Sequence, residues 1–143
     1  MMGYDMELIS IRKKKLEEIQ DIIEDYTYKD MFVDFLFISY ESNTAMAEEY
    51  GKWILSESRN LFKDFFIENK IKIENGEKFI IKEEIYDKMI QWLKNKLEKT
   101  NLLDIAETDS ALYEFEILIT AYRSMISANI DFEEELLVFE HDW

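Results

Sequence analysis

Glu7-Leu8-Ile9-Ser10-Ile11-Arg12-Lys13-Lys14-Lys15-Leu16-Glu17-Glu18-Ile19, near the start of the chain, admits two readings, and the choice between them decides the fold. At helical period, Ile9, Leu16, Ile19, Ile23 and Tyr26 share one face and form a seam, which predicts a helix from near Glu7 to Tyr26. At period two, Met6 to Ile11 is instead a short strand. The seam is the longer pattern, so the expectation is helical.

Outward from this stretch the helical pattern continues. Lys29 to Glu41 is apolar on nearly all sides and belongs in the middle of a bundle, with Thr27 as its N-cap and Asp30 three residues on. Ser42-Asn43-Thr44 are capping types that start a third helix reaching about Asn69, with Tyr50, Trp53, Ile54, Leu61, Phe62 and Phe65 as its buried stripe. Gly51 inside that helix costs roughly 1 kcal/mol relative to alanine, which points to a close backbone approach. A fourth helix runs from about Lys82 to Lys99, with Ile85, Met89, Leu93 and Leu97 recurring every four residues, and Asn101 ends it. A fifth covers roughly Asp109 to Ala128, with Leu112, Phe115, Ile119, Tyr122 and Ile126 facing inward.

Two segments break the helical period. In Ile71–Ile81 the period becomes alternating around Asn75-Gly76, a hairpin signal. A three-residue loop, Glu74-Asn75-Gly76 with Gly76 left-handed, opposes Ile71 to Phe79 and gathers Ile71, Ile73, Phe79 and Ile81 on one face. In the tail from Ile130 to Trp143, Leu136-Leu137-Val138-Phe139 reads as a strand that joins this hairpin. The predicted fold is therefore mainly α, bundle-like with about five helices, carrying a small antiparallel β element from the 71–81 hairpin and the C-terminal tail.

The chain has 143 residues, which suits a single domain spanning 1–143. It is 48% hydrophobic and 15% aromatic, too apolar for a disordered chain. There is no cysteine, so disulfides and thiolate chemistry are excluded, and a reducing cytoplasm fits. No secretory leader and no membrane span are expected from the pattern.

Net charge is −15, and it is unevenly distributed. Residues 1–100 hold 21 acids and 16 bases, whereas residues 101–143 hold 11 acids and a single base, Arg123. Such a field opposes phosphate backbones and anionic membranes, and it favours a basic protein partner through long-range steering. Arg12-Lys13-Lys14-Lys15 is the one basic cluster, expected on a solvated helix face paired with Glu17 and Glu18.

Chemistry-bearing motifs are sparse. His141 is the only histidine, expected at the surface or at a strand end, and no nucleophile-elbow pattern accompanies it. Asp34 interrupts an apolar run and is the best single candidate for a carboxyl of raised pKa, though the polar edge of a helix explains it as well. Asp131 to Glu135 resembles the alternating acids of a calcium loop but has Leu136 where the loop glycine belongs. The reading assigns no catalytic residue, metal ligand or cofactor, and expects a binding protein rather than an enzyme.

What remains is a charged surface. Asp131, Glu133, Glu134, Glu135, Glu140 and Asp142 are expected to supply carboxylates to a basic partner, with Phe132 and Trp143 supplying contact area. That partner would be a nuclease, toxin or nucleic-acid-binding effector whose basic groove the acids occupy. Phage anti-defence inhibitors, anti-CRISPR proteins included, and bacterial immunity proteins have this general character, a class-level analogy. The competing reading is a non-catalytic helical structural or regulatory subunit, homodimeric through the first-helix seam.

Overall fold

In the computed structural model, which describes residues 5–15, 51–57 and 61–142, the deciding stretch is a strand, β1 (Asp5–Arg12). Both of its faces are buried: Met6, Leu8 and Ser10 alternate with Ile9 and Ile11, and none of the five is more than 2% exposed. A strand covered on both sides needs no polar alternation, so a short apolar run carries little information about its period. Helical conformation begins only at Lys13.

β1 pairs antiparallel with β2 (Gly51–Glu57) on one side and with β4 (Glu135–Asp142) on the other; β3 (Phe79–Ile80) adds to the far edge of β4. The order is β2-β1-β4-β3. This four-stranded antiparallel sheet overturns the mainly α bundle with a small β element: the fold is mixed α and β. The tail strand is present as expected, but it lies inside the sheet rather than at the edge of a hairpin.

The third predicted helix is also corrected. Among the described residues of that span, Gly51–Glu57 is strand, and only Lys63–Glu68 is helical, as α1. Register passes from Leu8↔Leu55 to Ile9↔Trp53, leaving Ile54 as the extra residue of a bulge. The bulge allows Ile54 and Leu55, adjacent in sequence, both to enter the core. Gly51 does mark a close approach, though between strands: a Cβ there would lie 2.2 Å from the Ser10 carbonyl oxygen.

The predicted hairpin is a turn without a ladder. Gly76 takes the expected left-handed conformation, with φ of 76°, but Ile71 to Ile73 form no strand. Beyond the turn's own bond from the Glu77 N–H to the Glu74 carbonyl at 3.1 Å, the segment bonds to β4: the Gly76 N–H donates to the His141 carbonyl at 2.9 Å and the Ile81 N–H to that of Leu137 at 2.8 Å. β4 offers a long, already ordered row of backbone groups, which outcompetes a two-stranded hairpin of marginal stability.

The later helices match their expected spans. α2 (Glu83–Glu98) buries Tyr86, Met89 and Leu93, and α4 (Asp109–Ser127) packs against it. Between them lies an unforeseen short helix, α3 (Leu102–Glu107): Asn101, expected to end α2, caps α3 by accepting the Leu103 N–H at 2.8 Å. Thr108 caps α4 through the Ala111 N–H at 3.1 Å. The inward face of α4 differs in part from the expectation, although Tyr122 packs against the core as expected. Ile117, Ala121 and Met125 are buried, whereas Leu112 is 43% and Ile126 50% exposed. The helix carries two apolar stripes, and the one built from smaller and more flexible side chains faces α2 and the sheet.

The core joins the Leu8 face of the sheet to α1, α2 and α4. Tyr86 ties two helices together, its hydroxyl donating to the Met125 carbonyl at 2.6 Å. Burial, then the neighbouring Asp87 carboxylate, holds this phenol above the ordinary value near 10. A pKa raised in the folded state favours the neutral form, so this contribution is full below about pH 10 and is lost as pH rises further. Tyr86→Phe is expected to lose about 1 kcal/mol at neutral pH by stranding the carbonyl. Its stability, followed by urea titration, should then decline less than that of the wild type above pH 10; equal declines would remove Tyr86 as the source.

The expected helix over Lys29 to Glu41, its Thr27 cap, the Ser42-Asn43-Thr44 start and Asp34 lie outside the described residues.

Candidate interaction surface

The acidic tail is built on a turn that feeds β4. Asp131 organises it: its Oδ1 accepts the Glu133 N–H at 3.0 Å, and its carbonyl accepts those of Glu134 at 3.1 Å and Glu135 at 2.8 Å. Phe132 turns inward and meets the Tyr86 ring edge-on, centroids 5.7 Å apart. It anchors the turn rather than offering a free contact face. Asp131, Glu133 and Glu134 are exposed.

Part of the basic cluster is spent on this turn. The Lys13 N–H donates to the Glu134 carbonyl at 2.9 Å, and its ammonium to that of Phe132 at 3.1 Å. Arg12 stands opposite Glu135 in the β1–β4 register, and the Ser10 hydroxyl donates to Glu135 Oε2. The expected partners Glu17 and Glu18 are outside the described residues.

The other predicted acids are at the far end of the strand. Glu140 pairs with Lys78 at 3.6 Å. Asp142 stands opposite Asp5 in the register, and Trp143 is outside the described residues. At about 3.3 Å per strand residue, Glu140 lies roughly 20 Å from Glu134. The predicted residues thus divide into an exposed acidic turn, Asp131 to Glu134, and a distal pair engaged or at the sheet end.

His141 is at a strand end, as one of its expected placements had it, but it is 2% exposed. Its Nε2 lies 3.1 Å from the Ile73 carbonyl, so the ring pins the 71–78 segment to β4. Ser10 occupies the same sheet face, but four positions along β1 from Met6, which faces His141. That is about 13 Å, too far for proton transfer between them. Among the described residues no cluster of three or more His, Asp or Glu side chains is arranged to hold a metal, and no helix is long and apolar enough to cross a membrane.

Sequence reasoning missed a second acidic surface. Asp104, Glu107, Asp109, Glu114 and Glu116 on α3 and α4 are all exposed, alongside Leu102 at 73% and Leu103 at 75%. Asp104 and Glu107 are not placed by the sequence because α3 itself is not anticipated there, whereas Asp109, Glu114 and Glu116 fall on a predicted helix and enter only as part of the net charge.

The chain matches no protein-family model, no curated protein and no solved structure.

Proposed function

We propose that this is a small acidic protein-binding inhibitor that occupies the basic nucleic-acid-binding groove of an effector, nuclease or toxin. Its manner of action is that of phage anti-defence or anti-CRISPR-like inhibitors and of toxin-immunity proteins. The observation that carries the reading is the run of exposed acids Asp131, Glu133 and Glu134 on a turn whose backbone is fixed by its own hydrogen bonds. Carboxylates presented on an ordered turn attract a cationic groove and compete with phosphates there, and the turn's backbone needs no further ordering at binding. The homodimer reading loses the first member of its seam, since Ile9 is 2% exposed within the sheet.

The test is charge reversal at Glu133 and Glu134. Glu135 is left intact because it bonds Ser10, and reversing it would mix binding with stability. In competition against duplex DNA for basic nucleases and effectors of the native host, Glu133→Lys with Glu134→Lys should weaken inhibition at least about tenfold, since rim charges of like sign are repelled. Stability should shift by no more than about 0.5 kcal/mol, as for other exposed sites. A double variant that inhibits as well as the wild type removes the acidic turn from the interface.

A further inference from the structure

We infer that the corner between α3 and α4 is a docking surface for a basic amphipathic helix of a partner protein; this specifies the partner of the proposed reading and rests on it. α3 is six residues long and anchors on α4 through one buried side chain, Ile105 at 7% exposure. Leu102 and Leu103 are not needed for that anchor and stand 73% and 75% exposed, with Leu112 at 43% in the first turns of α4. A helix of this length spans only about 9 Å, so Leu102 and Leu103, in its first turn, lie within about that distance of the corner.

Exposed carboxylates accompany these leucines along α3 and the first turns of α4. Asp104, Glu107, Asp109 and Glu116 are exposed, and none of their side chains makes an ion pair or hydrogen bond among the described residues. This distinguishes the corner from the β4 tail, where Glu135 and Glu140 are engaged within the chain. Exposed leucines among unpaired carboxylates select their complement: a helix with a leucine-type stripe flanked by lysine or arginine. A second copy of this chain is disfavoured, because a two-fold contact at this corner would oppose the same acids to themselves. Nucleic acid and anionic lipid are repelled by the same carboxylates.

The corner and the 131–134 turn lie at opposite ends of α4, whose 19 residues span about 28 Å. They are therefore separable by mutation. The probe is a fluorescent 18-residue helical peptide of leucine and lysine, with a stripe of leucines, compared by anisotropy with a scrambled peptide of the same composition. The full-length protein should bind the amphipathic peptide at least about tenfold more tightly than the scrambled one. Leu102→Ser with Leu103→Ser should weaken binding about tenfold or more, as expected when central apolar contacts are lost, without lowering the melting temperature. Glu133→Lys with Glu134→Lys should change it by less than about threefold, being beyond the Debye length at 0.15 M salt.

Equal affinity for the two peptides, no binding, or loss confined to the Glu133/Glu134 variant overturns the corner assignment, as does a homodimer abolished by the leucine variant. Failure of the inhibitor reading has a different signature. Peptide binding then maps to the corner, yet no basic nuclease or effector is inhibited in the competition assay.

Discussion

Phe139→Ala is expected to cost about 3–5 kcal/mol, the range for deleting a fully buried phenylalanine. Phe139 is 0% exposed and stands where every layer meets. It lies opposite Leu8 on one side and Phe79 on the other. Its ring centroid is 5.0 Å from Phe66, 6.4 Å from Phe62 and 5.9 Å from His141. Removing it opens a cavity bounded by strands and helix together, which cannot collapse without breaking a ladder. Urea unfolding measures the loss, and Phe139→Leu should recover most of it because volume is nearly conserved. Leu112→Ala, on the outward stripe of α4, should change stability by no more than about 0.5 kcal/mol. A Leu112 effect as large as that of Phe139 would mean that the faces of α4 have been assigned in reverse.

Gly51→Ala is the second large effect, about 2–3 kcal/mol. The added Cβ would meet the Ser10 carbonyl oxygen at 2.2 Å and the Ile11 Cα at 3.2 Å, all backbone of the paired strand. No side chain can rotate away, so β2 must shift against β1 and strain their shared ladder, as in other overpacked sites. Gly76→Ala is the informative comparison. Nothing lies within 4 Å of its Cβ, but its φ of +76° is strained for any L side chain, at about 1–2 kcal/mol. Thermal melts should rank Gly51→Ala as the more damaging, and hydrogen exchange should speed first along β1 and β2. The reverse order would place the tight contact elsewhere.

The helices that can be read from the sequence are those whose apolar pattern is long. α2 repeats its apolar residues for four turns, and its boundaries emerged almost unchanged. α4 was found with its apolar stripe, but it has two stripes, and amphipathicity cannot choose between them without knowing what lies opposite. β2 is not legible in the sequence, and β1 only as the alternative reading of Met6 to Ile11, because Ile9, Ile11, Ile54 and Leu55 are compatible with either period, and pairing partners far along the chain decide. The acidic site divided for a related reason. A count of charges along Asp131 to Asp142 says nothing of which carboxylates will meet Ser10 or Lys78. Gly51 and Gly76, whose meaning is local and steric, were legible as special positions even where the surrounding element was not.

The pairing of β1 with β4 also sets the order in which the molecule can be completed during synthesis. Ser10 and Glu135, which touch, are 125 positions apart in sequence. At about 5–20 residues per second, β1 leaves the ribosome roughly 6–25 s before its neighbour exists. Through that interval a strand meant for the middle of a sheet has one edge open and two apolar faces to hide. Completion of the sheet is therefore paced by translation of β4 rather than by the helices, which are local and quick to form.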